Sequence, residues 1–216
     1  MTHRPLLLVA ASGLARETLT ALARSGRTVR GILDDDPELT RTRVGGVPVL
    51  GALDAVGAHP GTALVLCAGK GTSRRAITAR LAELGVAEDR YASVIDPSVF
   101  VPPGCRVGAG TILLAGTVLT ADVSIGRHVV CMPNVTLTHD DVLADFATLT
   151  AGVSLGGGVR VGEAAYLGMN STVRERVVVG AGATLGMGAA LLTDQPANSI
   201  WAGVPARPLT PDKEVR

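Results

Sequence analysis

Residues 125–172 read IGRHVV CMPNVT LTHDDV LADFAT LTAGVS LGGGVR VGEAAY LGMNST. Each group of six opens on an aliphatic residue or Cys. The phase holds in both directions, without a miss, from Ile95 to Leu191, which makes seventeen anchors. A short fixed period of this kind marks a β-helix, in which each strand turns a corner and stacks on the coil before it. Other positions in the hexad agree. Four residues after most anchors the side chain is small or β-branched, as at Val123, Val129, Val135, Ala147, Val153 and Ala165. Three residues after the anchor, twelve of the seventeen positions are Gly, Asn or Asp, residues that tolerate a left-handed backbone at a corner. The expected object is a prism with large anchors in its centre and small residues beside each corner.

Composition supports this reading. The chain has 216 residues, 47% of them hydrophobic and only 2% aromatic, so its cores must be built from Val, Leu, Ile and Ala. A net charge of +1 gives no electrostatic case for nucleic acid or an anionic membrane. No apolar run approaches a transmembrane span, and the N-terminus lacks a signal-peptide pattern. Three widely spaced cysteines, two of them (Cys105 and Cys131) on inward hexad positions, fit reduced core thiols and a cytoplasmic location.

Before about Tyr91 the period is not six. Leu6–Ala10 reads as a buried strand, 14–25 as a helix ended by Gly26, and 28–33 as a second strand closing on Asp34-Asp35-Asp36-Pro37. A short run, 47–51, precedes a helix expected from Leu53. Then come a strand over 62–67, Gly69-Lys70-Gly71, a helix to about Leu84, and a strand over 91–95. Alternating strands and helices argue for a small parallel sheet covered by helices. The expected fold is therefore α/β plus all-β: a small Rossmann-like parallel sheet domain over residues 1–94, then a parallel β-helix with a C-terminal cap over 95–216. Trp201 is expected to close the open end of the prism.

Several residues carry chemistry. The turn Ala10-Ala11-Ser12-Gly13-Leu14 leads into a helix N-terminus and reads either as an anion site or as a plain tight turn. Asp34 and Asp35 end the second strand, where ribose-binding acids sit in such sheets, or they cap a turn. Gly69 lies at the same sheet edge. His139, at a coil corner in Thr138-His139-Asp140-Asp141, reads either as a general base beside a carboxylate or as a surface side chain. Asp141 is the odd member, a charge on the small inward position. His128 reads as a surface corner residue. His3 and His59 carry no motif.

The chain resembles the NeuD/PglD family of bacterial sugar acetyltransferases, in the hexapeptide-repeat superfamily. The resemblance rests on Ala11-Ser12-Gly13, Leu33-Asp34-Asp35, Gly46-Val47-Pro48-Val49-Leu50-Gly51, Thr138-His139-Asp140, Tyr166-Leu167-Gly168-Met169-Asn170-Ser171 and Ala202-Gly203-Val204-Pro205-Ala206. It implies a left-handed β-helix for residues 95–216, an acceptor-binding role for residues 1–94, a homotrimer with active sites between subunits, acetyl-CoA as cosubstrate and a sugar or sugar nucleotide as acceptor. It implies His139 as general base with Asp140 tuning it, and Thr148, Gly157, Met169 and Met187 at acetyl-CoA contacts. Ser12, Gly13, Leu14, Asp34, Asp35 and Gly69 fall at acceptor contacts. Ala10 stands where a Gly is common, Lys70 where Asn is frequent, and Thr148 where several relatives carry His.

The expected reaction is acetyl transfer to the amino group of a nucleotide-linked sugar, without a metal. O-acetylation of sialic acid or another sugar is the alternative. A zinc enzyme on the same prism needs three His per metal, and the coils hold only His128 and His139. A non-catalytic sugar-nucleotide sensor would keep the N-terminal turn but have no need of His139.

Overall fold

The computed structural model describes residues 4–209; residues 1–3, His3 among them, and 210–216 at the end of the expected cap lie outside the described residues. The N-terminal α/β domain is built on a five-stranded sheet. Its strands are β1 (Leu6–Val9), β2 (Val29–Leu33), β3 (Arg43–Val44), β4 (Val47–Gly51) and β5 (Ala63–Leu66). Their order is β3-β4-β2-β1-β5, parallel apart from the β3–β4 pair. Helix α1 (Gly13–Arg24) lies between β1 and β2, and α2 (Gly71–Glu83) follows β5. β1 and β5 are buried on both faces, which is why they read as unbroken apolar runs.

Two expectations change here. The helix expected from Leu53 is a six-residue 3₁₀ segment, Leu53–Ala58, which stops at His59-Pro60, where no helix can continue. The strand expected over 91–95 shrinks to Val94–Ile95, with Tyr91 making one isolated bridge to Leu64.

From Val94 onward the chain is the left-handed β-helix. Two-residue strands stack with parallel pairing into three faces. Face 1 holds Val94–Ile95, Ile112–Leu113, Val130–Cys131, Thr148–Leu149, Tyr166–Leu167, Thr184–Leu185 and Ile200–Ala202, and ends on Arg207–Pro208, which pairs antiparallel with the strand before it. Face 2 holds Val118–Leu119, Thr136–Leu137, Ser154–Leu155, Thr172–Val173 and Ala190–Leu191. Face 3 holds Arg106–Val107, Ser124–Ile125, Val142–Leu143, Arg160–Val161 and Val178–Val179. Val101 carries no strand, because Pro102 and Pro103 have no N–H to give a ladder. The anchors from Leu113 to Leu191 fill a single core with the small residues beside them, and Trp201 packs on its end.

The corner rule is stricter in the backbone than in the residue types. Every sixth residue from Gly104 to Gly188 is left-handed, with φ between 53° and 92°. His128, Phe146, Ala164 and Arg176 obey it although none is Gly, Asn or Asp. The stacking of whole coils outweighs a local cost of roughly 1–2 kcal/mol at each such residue.

The α/β domain is docked on face 1. Leu14, Ala15 and Leu22 of α1 share a cluster with Ile112, Leu114 and Val130 of that face. Arg24 at the end of α1 meets the buried Asp96 at 3.2 Å. Arg74 on α2 is fully buried at the same junction. Its guanidinium donates to the main-chain oxygens of Ala68, Gly69, His128, Phe146 and Ala147 and to the Thr148 hydroxyl, at 2.8–3.1 Å. α2 can come this close only because residue 71 is Gly: a β-carbon there would lie 2.0 Å from the Phe146 carbonyl oxygen.

Candidate active site

His139 stands at the corner between faces 2 and 3, two residues beyond the anchor Leu137. The left-handed backbone of Asp140, φ 64°, folds its carboxylate back on the ring, and Nδ1 of His139 lies 2.8 Å from Oδ2 of Asp140. An N–H at Nδ1 donates to that carboxylate, which leaves the lone pair on Nε2. About two-thirds of each side chain is exposed, so the ring is reachable from solvent. One coil further on, Gly157 lies against the ring, and a β-carbon there would sit 2.4 Å from Nε2. The Gly157 N–H takes no partner among the described residues, whereas its carbonyl accepts from Arg176. A base with a fixed tautomer and a free backbone donor thus stand side by side, the two groups that acyl transfer requires.

Asp141 completes this corner. It is fully buried, and its carboxylate accepts from the Thr138 and Val159 N–H groups at 2.8 Å each. Burial pushes its carboxyl up to about 6, while those two bonds pull the other way.

The four residues expected at the cosubstrate fall in three places. Gly157 is beside His139. Met169 and Met187 are exposed, one coil apart, at the corner between faces 1 and 2. They and His139 therefore flank face 2, whose outward side chains are Val118, Thr136, Ser154, Thr172 and Ala190. Such a flat strip, with thioethers on one border and an unoccupied backbone donor on the other, suits an extended thioester. Thr148 is not with them. It is fully buried under the α/β domain, accepting from Arg74 and donating to the Gly69 carbonyl at 3.1 Å.

The residues expected at the acceptor gather at the C-terminal edge of the five-stranded sheet. Ser12 caps α1 by accepting from the Ala15 N–H, and its hydroxyl donates to the Cys67 carbonyl at 2.5 Å. Gly13 is exposed; the Leu14 side chain is core, so only its backbone faces the edge. Asp34 accepts from the Ala11 N–H at 2.6 Å and the Asp36 N–H at 2.9 Å, tying β2 to the first turn. Asp35 accepts from the Leu53 N–H at 2.9 Å and pairs with Arg80. Asp34 and Asp35 line a cavity of about 160 Å³ with Ala10, Leu53 and Ile77. Gly69 lines a larger one, about 540 Å³, with Lys70, Thr72, Tyr166 and Thr184, between α2 and the outer side of face 1.

His128 corrects its surface assignment. It is fully buried, stacked on Phe146 with ring centroids 5.3 Å apart and meeting Tyr91 edge-on at 4.6 Å. Burial and the nearby Arg127 push its imidazole down to about 4. Cys67 and Cys131 are buried thiols pushed up to about 12 by burial, and Cys105 is half-buried; none of the three is paired. Arg74 and Gly71 are the residues that sequence reasoning missed. The only trace of Arg74 was its helical spacing from Gly71 and Leu81, and an Arg74-Arg75 pair reads as a solvated face. Among the described residues no group of three His, Cys, Asp or Glu stands in ligating geometry. No described helix is long and apolar enough to cross a membrane.

The sheet edge expected to hold the acceptor and the His139 corner lie on different sides of the prism. The α/β domain covers face 1, and the corner of faces 2 and 3 is the one vertex of the prism that face 1 does not touch.

No family model matches the chain. A putative acetyltransferase of Schizosaccharomyces pombe is 30% identical over 133 residues, 60% of this chain and 64% of that protein. This chain thus spans a little under two-thirds of that relative's length. Among solved structures, a histidine mutant of perosamine N-acetyltransferase from Caulobacter crescentus, in complex with CoA and GDP-perosamine, superposes with a TM-score of 0.88. It shares 28% identity, covering 96% of this chain and 97% of that one. The acetyltransferase domain of PglB from Neisseria gonorrhoeae, in complex with acetyl coenzyme A, gives 0.88 at 29% identity, with 96% and 100% covered. The chain has the fold and the two-part layout of the hexapeptide left-handed β-helix sugar acetyltransferases.

Proposed function

We propose, from an architecture shared end to end with these sugar acetyltransferases, that the chain moves the acetyl group of acetyl-CoA onto the amino group of a nucleotide-linked sugar. The observation that carries the reading is the His139 ring, held by Asp140 through Nδ1 and lying over Gly157. The acceptor nitrogen attacks the thioester carbonyl carbon and forms the C–N bond. Nε2 of His139 takes the proton, and Asp140 stabilises the imidazolium. The Gly157 N–H donates to the tetrahedral oxyanion. Collapse breaks the C–S bond, and the imidazolium returns its proton to the departing thiolate.

Met169 and Met187 border the strip for the pantetheine arm. The acceptor lies along the sheet edge at Ser12, Gly13, Leu14, Asp34, Asp35 and Gly69. That edge and His139 belong to opposite sides of the prism, so the working site takes the acceptor cleft from one chain and the base from another. A homotrimer meets that requirement with three equivalent sites. Three unpaired cysteines suit a reducing cytoplasm.

The test is a thiol-release assay with acetyl-CoA and a panel of GDP- and UDP-linked amino sugars, alongside free sugars and sialic acid. Amine-dependent release is the expected result, and His139→Ala lowers it by roughly two to four orders of magnitude. Sugar-nucleotide binding in a calorimeter without acetyl-CoA binding would assign the chain to sensing instead. Subunit sharing is checked by mixing His139→Ala with Gly69→Val, each inactive alone. Mixed assemblies regain activity if the site is shared, and stay inactive if each chain is self-sufficient.

A further inference from the structure

Between Leu114 and Arg174 the N–H that follows each anchor keeps one register, except at a single amide. From Leu114 to Arg174 the residue after each other anchor donates its N–H to the matching anchor one coil on: Leu114 to Cys131, Thr120 to Leu137, Ala144 to Val161. Thr138 breaks the series. Its N–H goes to Oδ2 of Asp141, and its hydroxyl donates instead to the Leu155 carbonyl, at 3.1 Å. A second bond is diverted on the next coil. Val153 and Val177 each donate their N–H back to the carbonyl three residues earlier, but the Val159 N–H goes to Oδ1 of Asp141, much as the Val129 N–H goes to the neutral Thr111 hydroxyl one coil before it. Face 2 pairing is reduced here to Thr136 with Ser154, whereas the flanking pairs bond at two positions.

The disturbance is centred on a residue that the repeat does not need. Asp141 stands in a column with Cys105, Val123, Val159 and Val177, and a Val at 141 would suit the core. A carboxylate there costs desolvation, and the two amides that compensate it bracket the site: Thr138 precedes His139, and Val159 follows Gly157-Gly158. A costly local departure that fixes two functional groups is where mechanism is expected. We propose that Asp141, assisted by Thr138, is a positioning residue that holds the His139 turn out of ladder register and over Gly157. The proposal rests on the acyl-transfer reading above.

Asp141→Val, Asp141→Asn and Thr138→Val in the full chain test it. Asp141→Val melts no lower than the wild type and loses about 10- to 100-fold in kcat, the scale of a small misplacement of a base. KM for acetyl-CoA stays within about twofold. Asp141→Asn, which keeps one acceptor, recovers part of the loss. Nitrogen-15 spectra of the His139 imidazole show one tautomer, Nδ1–H, in the wild type and a mixture in Asp141→Val. A folded Asp141→Val with kcat within about twofold of wild type, in an enzyme that His139→Ala abolishes, overturns the proposal and leaves the function standing. If the wild type transfers acetyl to no acceptor, the function fails, and the spectra alone decide: an unchanged tautomer overturns the positioning role. Should Asp141→Val not fold, Thr138→Val and Asp141→Asn are read by the same criteria.

Discussion

Gly157 lies directly against the His139 ring, so closely that a β-carbon on it would come within 2.4 Å of Nε2 and 2.5 Å of Cε1. The glycine is therefore a contact requirement of the imidazole. Gly157 is not among the left-handed corner positions, so Ala is compatible with its backbone. Gly157→Ala displaces the ring without unfolding the coil. Turnover is expected to fall by about 100-fold, the usual scale for a base moved by an ångström. Steady-state kinetics beside a thermal melt check this; unchanged kcat would remove the contact from the mechanism.

Ala10 occupies a left-handed backbone, φ 77°, between β1 and the α1 cap. Position 10 is where glycine would be strain-free. Ala10→Gly is expected to stabilise the α/β domain by up to about 1 kcal/mol, the relief of strain less the greater freedom of an unfolded glycine. Urea unfolding measures it. A lower midpoint for the glycine variant would contradict the strain argument.

The hexad revealed the prism and the place of His139 at one of its corners because coil stacking is a period-six constraint written into every turn. The α/β elements were legible where burial is two-sided, as in β1 and β5. What stayed hidden depends on contacts between distant parts of the chain. His128 carried no sign of being covered, because its burial comes from Tyr91, Phe146 and the docked domain. Thr148 aligned with a cosubstrate contact but is consumed by Arg74, a partner 74 positions away in sequence. Asp141 was visible as an inward charge, yet its two amide partners depend on which coil lies next to which.

Asp141 and His128 oppose each other in acid. The Asp141 carboxyl is raised from 3.8 to about 6, so the stability it contributes is fully present below pH 3.8 and lost as pH rises through about 6. The His128 imidazole is lowered from 6.5 to about 4, so its contribution is present above pH 6.5 and lost as pH falls through about 4. Each shift corresponds to about 3 kcal/mol, with opposite slopes over the same window. Wild-type stability is thus expected to vary little between pH 4 and 6.5 from these two groups. Asp141→Val leaves a slope that rises with pH, and His128→Phe, which keeps the stack on Phe146, leaves one that falls. Unfolding midpoints at half-unit pH steps test both signs; parallel curves for the two variants would refute the pairing.

Arg74 ties the α/β domain to the coils without a carboxylate partner. Its guanidinium is held entirely by carbonyls and one hydroxyl, and burial lowers it only to about 10, so it stays charged at neutral pH. Removing it leaves several buried oxygens without a donor at once. Arg74→Met is expected to cost about 3–5 kcal/mol, the range for breaking a buried charged network. Arg74→Lys restores little, because one ammonium cannot reproduce a planar fork that spans Gly69, His128 and Phe146. Loosening this junction also shifts Gly69 against Tyr166 in the larger cavity. KM for the acceptor should therefore rise in Arg74→Lys while KM for acetyl-CoA holds. Equal changes in both constants, or a lysine variant as stable as the wild type, would show that the guanidinium does not set the position of the cleft.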